Sequence, residues 1–305
     1  MLGEIFYWLF NMSIVASVSG LIVILIRLIR RIPRRFILFL WAIPFLRMWL
    51  PVGIGSKFSL LNLVSRFTTR TVTVYEAGPV DFTMTNSMML ADTYFPITYE
   101  VEGLSKTFQI ASAIWAVAAL AVIVTVLFVY FGTKSVLKDA IPVQGNLYRS
   151  DKIRTPGVYG IVKPRIIFPA LPDDGSVNRY ILLHEQTHIR RMDNLWRILA
   201  FLTVAVHWFN PLAWVFLKLF LTDLEVACDE SVLSKIGADE RKEYANCLVD
   251  ALESKNLFLT SFGGASIRVR IEAILSFRKA TAIAAVALSG IVAVIAWLLL
   301  TNAPG

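Results

Sequence analysis

Cysteine and charged side chains are both scarce in this chain of 305 residues. Two cysteines are too few for a disulfide framework, which excludes the small disulfide-rich secreted folds. Charged residues make up 17% of the chain, whereas soluble domains average about 25%. Hydrophobic residues reach 56%, and the mean hydropathy is +0.64. The composition therefore indicates a membrane protein, and we attribute the net charge of +8 to orientation in the bilayer rather than to nucleic-acid binding.

The N-terminus has no basic segment ahead of its first apolar run, which argues against a cleaved signal peptide. Four apolar stretches are close to the ~20 residues that a bilayer requires, and they cover residues 5–26, 36–52, 108–131 and 280–300. Between the first two stretches lie five arginines, Arg27, Arg30, Arg31, Arg34 and Arg35. The positive-inside rule puts this cluster in the cytoplasm. Both termini and residues 54–107 are then expected outside the cell membrane. Residues 132–279 are expected inside, with Cys228 and Cys247 as reduced thiols.

Histidine is also scarce, and two of the three histidines lie in the segment His184-Glu185-Gln186-Thr187-His188. Positions i and i+4 share one face of a helix, so both imidazoles can bind one Zn²⁺. Glu185 lies beside them and is placed to act as the general base that takes a proton from the attacking water. The alternative is an amphipathic helix whose polar face carries these groups by chance.

A catalytic zinc with an open position needs a third protein ligand. Glu225 and Asp229 follow downstream, again at i and i+4 of a helical pattern. Glu225 could bind the metal, and Asp229 could accept the second ring N–H of a ligand histidine. A solvated acidic helix face explains the same pair. Asp193, which follows His188 closely, is expected to tie the first helix to a neighbour.

The amino-acid sequence of four segments resembles the BlaR/MecR-type family of integral-membrane zinc metallopeptidases. They are HEQTHIRRMD, HWFNPLAW, DLEVACDESVL and residues 153–169. The similarity covers residues 1–300 and is strongest over 150–275. It implies a gluzincin site in which His184, His188 and Glu225 bind zinc. Glu185 would then be the base, and Asp229 the aspartate of the family's ExxxD motif.

Receptors of this family carry an external penicillin-binding sensor after the fourth span, and we expect none here because the sequence ends at Gly305. Ser135 and Lys138 fit an SxxK pattern, but the Lys-Thr-Gly and Ser-Asp-Asn companions of penicillin-recognising enzymes are missing. By resemblance, the expected role is transmembrane signalling, in which the chain cleaves a cytosolic protein such as a transcriptional repressor, or itself. Ser261 and Phe262 mark the candidate self-cleavage point, with a glycine-containing helix connection as the alternative. Membrane lipid, an external sensor and a second copy of the chain are the other expected partners.

Two further segments concern the substrate. Residues 159–168 alternate in hydrophobicity and are expected to form an edge strand that holds an extended peptide, with Tyr159 as a candidate substrate or oxyanion contact. A plain packing strand is the alternative. Residues 195–221 are apolar but broken at Asn210-Pro211, which predicts a helical hairpin that dips into the inner leaflet. His207, next to the hairpin tip, is a candidate oxyanion donor, with a structural role at the tip as the alternative.

These inferences predict a mainly α, polytopic membrane protein with four transmembrane helices. Its cytosolic zincin-like metalloprotease domain contains a small β element and the membrane-dipping hairpin. The expected division is 1–53 for spans one and two, 54–107 for an extracellular loop, 108–131 for span three, 132–279 for the protease domain and 280–305 for span four with a short tail. The expected activity is that of a zinc endopeptidase. Two alternatives stay open: a housekeeping membrane zinc protease, and a non-catalytic receptor or scaffold with a structural zinc.

Overall fold

The computed structural model describes residues 2–29, 31–50, 56, 102–153, 155–169, 178–237, 239–253, 267–277 and 281–301. Nine α-helices and four short strands lie in these ranges. The expected external loop falls almost entirely outside the described residues, and so do the candidate self-cleavage residues Ser261 and Phe262.

Helices α1 (Leu2–Arg27) and α2 (Arg34–Trp49) pack against each other across a short arginine-rich turn. Pro33 stands at the N-cap of α2, where its missing N–H breaks no helical hydrogen bond. Within the described residues, three helices are long and apolar enough to cross a membrane, namely Ile5–Arg27, Lys106–Asp139 and Ala282–Leu300. Helix α2, the expected second span, has 16 residues and falls short of the ~20 that a bilayer requires. Its place in the membrane therefore stays a prediction.

A small sheet follows the third helix. Helix α3 (Glu102–Val136) begins before residue 108, where the span was expected, and a 3₁₀ turn (Leu137–Asp139) ends it. The strands are β1 (Ile141–Gln144), β2 (Leu147–Arg149), β3 (Gly157–Tyr159) and β4 (Arg165–Phe168). Their order is β1-β2-β4-β3, with β2 and β4 parallel and the other pairs antiparallel. Strand β3 is therefore at one edge of the sheet.

The single edge strand expected over residues 159–168 is corrected by the structure, because the chain reverses at Gly160. This glycine has φ +92°, and a Cβ on it would lie 3.1 Å from the carbonyl oxygen of Lys163. Val158 pairs with Ile166 across the resulting hairpin. Strand β4 lies inside the sheet with its last three residues buried, so of these two strands only β3 is an edge strand.

Six helices complete the described chain: α4 (Arg179–Arg190), α5 (Asp193–Val206), α6 (Pro211–Leu233), α7 (Arg241–Glu253), α8 (Ile267–Ser276) and α9 (Ala282–Leu300). Asn178 caps α4, since its side chain accepts a hydrogen bond from the backbone N–H of Tyr180 at 2.9 Å. Met192 adopts a left-handed conformation with φ 55° between α4 and α5. Asn210 caps α6 in the same way as Asn178 caps α4, and Pro211 occupies the first helical position.

Helices α5 and α6 form the expected hairpin, and its tip lies beside the start of α1, while its depth in the membrane stays a prediction. Phe209 at the tip packs against Phe6 near the start of α1, with ring centroids 5.4 Å apart. At the other end, Asp223 of α6 lies 2.8 Å from Arg27 at the end of α1. Helix α6 therefore runs along most of α1, and neighbouring helices shelter the hairpin.

Two hydrophobic cores, and a small aromatic cluster of α1, α3 and the hairpin tip, hold the helices together. The larger core packs α1, α2, α5, α6 and α9 around Trp41 and Phe216. Gly20 of α1 permits close contact there, because a Cβ on it would lie 2.2 Å from the ring of Phe216. The smaller core packs α4, α6, α7 and α8 around Tyr244 and Ile274. Helix α6 belongs to both cores and so connects the long apolar helices to the histidine motif.

Candidate metal centre

His184 and His188 lie one turn apart on α4 and face the same point. Their Nε2 atoms are 3.1 Å apart, and both side chains are buried. Glu225 of α6 brings its Oε2 to 3.7 Å from His184 Nε2 and 3.8 Å from His188 Nε2. Ligand atoms around a tetrahedral zinc ion are about 3.4 Å apart when the bonds are about 2.1 Å long. The three measured separations lie on either side of that value, so these residues fit a single ion of that size.

Each histidine is held through its other ring nitrogen. Asp193 Oδ2 lies 2.6 Å from His188 Nδ1. Asp193, at the start of α5, therefore links that helix to the histidine motif on α4. On the other ring, Tyr244 Oη and Asp229 Oδ1 lie 3.0 and 3.3 Å from His184 Nδ1. Such contacts fix the orientation and tautomer of metal-binding histidines. The Nε2 atoms of both rings therefore point to the shared position between them, where Arg270 Nη2 also lies 3.4 Å from His184 Nε2.

The charges around this point favour a cation. Burial disfavours the charged form of Glu225, but the two histidines and two nearby arginines outweigh it and hold its pKa well below the usual range. Burial also lowers the pKa of His188, but Cys228, Glu225 and Asp193 outweigh this effect and raise that pKa to about 9. The centre therefore combines an ionised carboxylate with imidazoles that attract either protons or a metal ion.

Glu185, Tyr159 and strand β3 line a cavity of about 350 Å³ beside the histidine pair. Burial, and then the charge of Glu185, raises the pKa of the Tyr159 phenol, which therefore stays protonated at neutral pH.

Asn194 holds β3 in place, since its Nδ2 donates to the carbonyl oxygens of Val158 and Gly160 at 3.0 and 3.2 Å. These two carbonyl oxygens lie on the free edge of β3, because the N–H of Ile166, which is opposite Val158, donates to Asn146 instead. Asn194 therefore occupies acceptors that a pairing peptide would use.

Cys228 is a competing donor that the sequence analysis treated as a plain thiol. Together with His184 and His188 it forms a buried group whose donor atoms lie within 4.8 Å of one another. Its Sγ, however, lies 3.7 Å from His184 Nδ1, whereas the Nε2 atom of that ring faces His188. A single ion uses one nitrogen of each ring, so the geometry favours Glu225 over Cys228 as the third ligand.

His207 is not brought to this cavity. It is fully buried after the end of α5, and its Nε2 donates to the carbonyl oxygen of Met48 at 3.0 Å. Its ring centroid lies 5.9 Å from that of Phe209. Because the hairpin extends along α1, it carries His207 away from the histidine pair. The structure thus places this residue in the tip, which was the alternative to an oxyanion role.

Three side chains at the centre were not anticipated from the sequence, namely Arg197 of α5, Tyr244 of α7 and Arg270 of α8. Arg197 Nη2 is 2.5 Å from Glu225 Oε1. Arg270 forms a fork on Asp229 through Nε at 2.8 Å and Nη2 at 2.7 Å. Tyr244 and Arg270 are distant from the motif along the chain, and all three lie in ordinary helical patterns. The sequence offered only an indirect signal for them. If Glu225 and Asp229 are buried, each carboxylate needs positively charged or hydrogen-bonding partners.

A family model described as BlaR1 peptidase M56 matches residues 7–274 of the chain. The chain is similar to the regulatory protein BlaR1 of Bacillus licheniformis, with 33% identity over 105 residues, 34% of this chain and 18% of that protein. It is 28% identical to the methicillin resistance mecR1 protein of Staphylococcus aureus over 103 residues, 33% and 18% of the two chains. It is 31% identical to the regulatory protein BlaR1 of Staphylococcus aureus over 113 residues, 35% and 19% of the two chains. The matched regions span less than a fifth of the length of these relatives.

Proposed function

Since this chain belongs to the BlaR1 peptidase M56 family and is a metallopeptidase, we propose that it is a membrane-embedded zinc endopeptidase that acts in transmembrane signalling. The observation that carries the proposal is the convergence of His184, His188 and Glu225 on one point beside the cavity that Glu185 lines. Two imidazole nitrogens and one carboxylate oxygen form a ligand set of catalytic zinc sites, in which the fourth position is kept for the reaction.

The side chains of the site have separate tasks in peptide-bond hydrolysis. Zinc, when bound, would polarise the substrate carbonyl and lower the pKa of water towards 7. Glu185 takes a proton from the attacking water as the C–O bond forms, and it returns this proton to the amide nitrogen as the C–N bond breaks. Asp193, Asp229 and Tyr244 keep the two imidazole rings in place during these steps. Strand β3 forms one wall of the cavity that receives the peptide, and pairing of the peptide with its free edge requires the Asn194 side chain to give way.

We place the centre on the cytosolic side, with α2 as the second of four spans and both termini outside. The contacts of the arginine-rich turn support this orientation. Arg27 Nε lies 2.8 Å from Asp223 Oδ2, and the backbone N–H of Arg34 donates to Glu230 at 2.9 Å. Both carboxylates belong to α6 and lie close to Glu225 along that helix. The arginine cluster and the centre therefore share one side of the bundle, and the positive-inside rule puts that side in the cytosol.

The proposed substrate is a cytosolic protein, such as a transcriptional repressor, or the chain itself at Ser261–Phe262. The names of the similar proteins describe regulatory and methicillin resistance proteins, which supports a regulatory target over general protein turnover. An external sensor would supply the signal, and a second copy of the chain is a further proposed partner. The proposal involves no direct contact with nucleic acid.

The test compares membranes that carry the wild-type chain or the Glu185→Gln variant, by mass spectrometry of newly formed peptide termini. We expect cuts in the wild-type sample alone, in this chain or in a few cytosolic proteins, with equal zinc content in the two purified chains. Glu272→Gln is the matched control, because this carboxylate is 65% exposed on α8, and it should cut as the wild type does. Cleavage that survives Glu185→Gln would refute the proposal.

The same measurement separates the two alternatives. Cuts in many unrelated membrane proteins would indicate a housekeeping protease, and zinc binding with no cuts would indicate a structural zinc. A closed structural site needs a fourth protein ligand. Cys228 is the additional donor that the structure brings near, but it faces Nδ1 of His184 rather than Nε2. This arrangement disfavours the structural alternative.

A further inference from the structure

Arg270 occupies a position at the centre that the mechanism above does not use. It is only 5% exposed and it lines the cavity. Its Nε and Nη2 atoms are engaged in the fork on Asp229, and a forked pair of this kind fixes the plane of the guanidinium. The third nitrogen, Nη1, lies 3.4 Å from Glu225 Oε2, and Nη2 lies 3.4 Å from His184 Nε2. A rigid positive charge therefore stands beside two of the proposed metal ligands.

Hydrolysis of a peptide bond needs a donor for the carbonyl oxygen, which becomes negatively charged when water adds to the carbon. We propose that Arg270 is this donor and that its Nη1 binds the oxyanion of the tetrahedral intermediate. The water oxygen bonds to the carbonyl carbon, the electron pair of the C=O π bond moves to the oxygen, and the water proton goes to Glu185. Collapse restores C=O, breaks C–N and transfers that proton to the amine nitrogen. The inference rests on the proposed peptidase function.

Other donors near the cavity are less well placed for this role. Arg197 is already paired with Glu225 Oε1 at 2.5 Å, on the side of that carboxylate away from the histidines. Tyr159 lies near Glu185, and the attacking water must occupy that side. Arg270 remains charged at every physiological pH, and Asp229 holds it before substrate arrives. A preorganised donor of this kind stabilises the transition state without reorganisation.

The test uses the full chain in detergent, loaded with zinc, in the Glu185→Gln background so that no probe is cleaved. One probe is a blocked Phe-Phe dipeptide in which a phosphinate replaces the scissile amide and mimics the tetrahedral oxyanion. The other is the matched dipeptide amide. We expect the background chain to bind the phosphinate at least ~100-fold more tightly than the amide. Adding Arg270→Gln should weaken phosphinate binding by about 100-fold and leave amide binding and zinc content unchanged.

Arg270→Lys and Tyr159→Phe serve as comparison variants. Lysine keeps a positive charge near Asp229, but its single nitrogen cannot bind both Asp229 and the oxyanion. We therefore expect Arg270→Lys also to lose most of the phosphinate preference while the chain remains folded. Tyr159→Phe should keep that preference. The proposal is overturned if both Arg270 variants bind phosphinate as the background does, if they lose both probes equally or lose zinc, or if Tyr159→Phe shows the loss instead. A background chain without phosphinate preference overturns it too. Failure of the peptidase function is seen separately, as cleavage that survives Glu185→Gln.

Discussion

Asp223 links the arginine-rich turn to the helix that carries Glu225, and its removal should destabilise the chain. Its side chain is fully buried. It accepts hydrogen bonds from Arg27 Nε at 2.8 and 3.1 Å and from Trp41 Nε1 at 2.9 Å. Asp223→Ala would leave the guanidinium and the indole N–H without their acceptor. Breaking a buried ion pair from one side costs about 3–5 kcal/mol. Because the Arg27 side chain is 16% exposed, we expect a loss near the lower end of that range.

The assay is thermal unfolding of the full chain in detergent, followed by tryptophan fluorescence. At roughly 2–4 °C per kcal/mol for larger domains, the unfolding midpoint should fall by about 10 °C. Glu272→Ala is the matched control, since it removes a carboxylate from an arginine pair on α8 whose side chains are 85% and 65% exposed. Exposed pairs contribute little to stability, so this midpoint should not move. Equal shifts in the two variants would refute the reasoning.

The remaining predictions concern the base, a helix contact and stability in acid. Glu185→Gln should slow cleavage by about 10²-fold or more with unchanged zinc content by mass spectrometry, and a loss of zinc would contradict its assignment as the base. Gly20→Ala should lower the free energy of unfolding by about 1–3 kcal/mol through overpacking. Gly290→Ala, with no atom within 4 Å of its Cβ, should not, so equal unfolding midpoints would contradict the packing argument. Burial raises the pKa of Asp229, but Arg270 and the nearby histidine outweigh it and hold that pKa at about 2, below the ordinary 3.8. The stabilisation should be complete above roughly pH 4 and disappear as the pH falls towards 2. Unfolding midpoints measured against pH, with Asp229→Asn lacking this acid loss, are the check.

The part of the centre that lies within one helix could be read from spacing alone. His184, Glu185 and His188 occupy adjacent turns of α4, and helix geometry brings the two histidines to one face whatever surrounds them.

The prediction of Glu225 needs more than spacing. It rests on the third ligand that a catalytic zinc requires, and on the fit of Glu225 and Asp229 to a helical pattern and to the ExxxD resemblance. The hairpin itself is expected from the break at Asn210-Pro211, but only the structure shows that α6 follows α1, with contacts from Ser13 to Arg27.

Local turn chemistry explains where the strand prediction failed. An alternating strand was predicted over residues 159–168, but Gly160 takes a positive φ and reverses the chain, and β4 buries three consecutive residues, 166–168. Alternation reports which face of a strand is buried and does not report which strand is its neighbour. The edge that faces the cavity is therefore β3, whose cavity position depends on the side chain of Asn194.

By itself the sequence determined the apolar helices, the arginine-rich turn and the histidine motif, because each depends on residues that are neighbours along the chain. Only the tertiary structure decided which groups surround that motif. Tyr244 and Arg270 reach His184 and Asp229 because α7 and α8 pack on α6 in the smaller core, and His207 is carried away because α6 also packs along α1. Contacts between distant segments follow from how whole helix faces fit together, and no local pattern of residues records that fit.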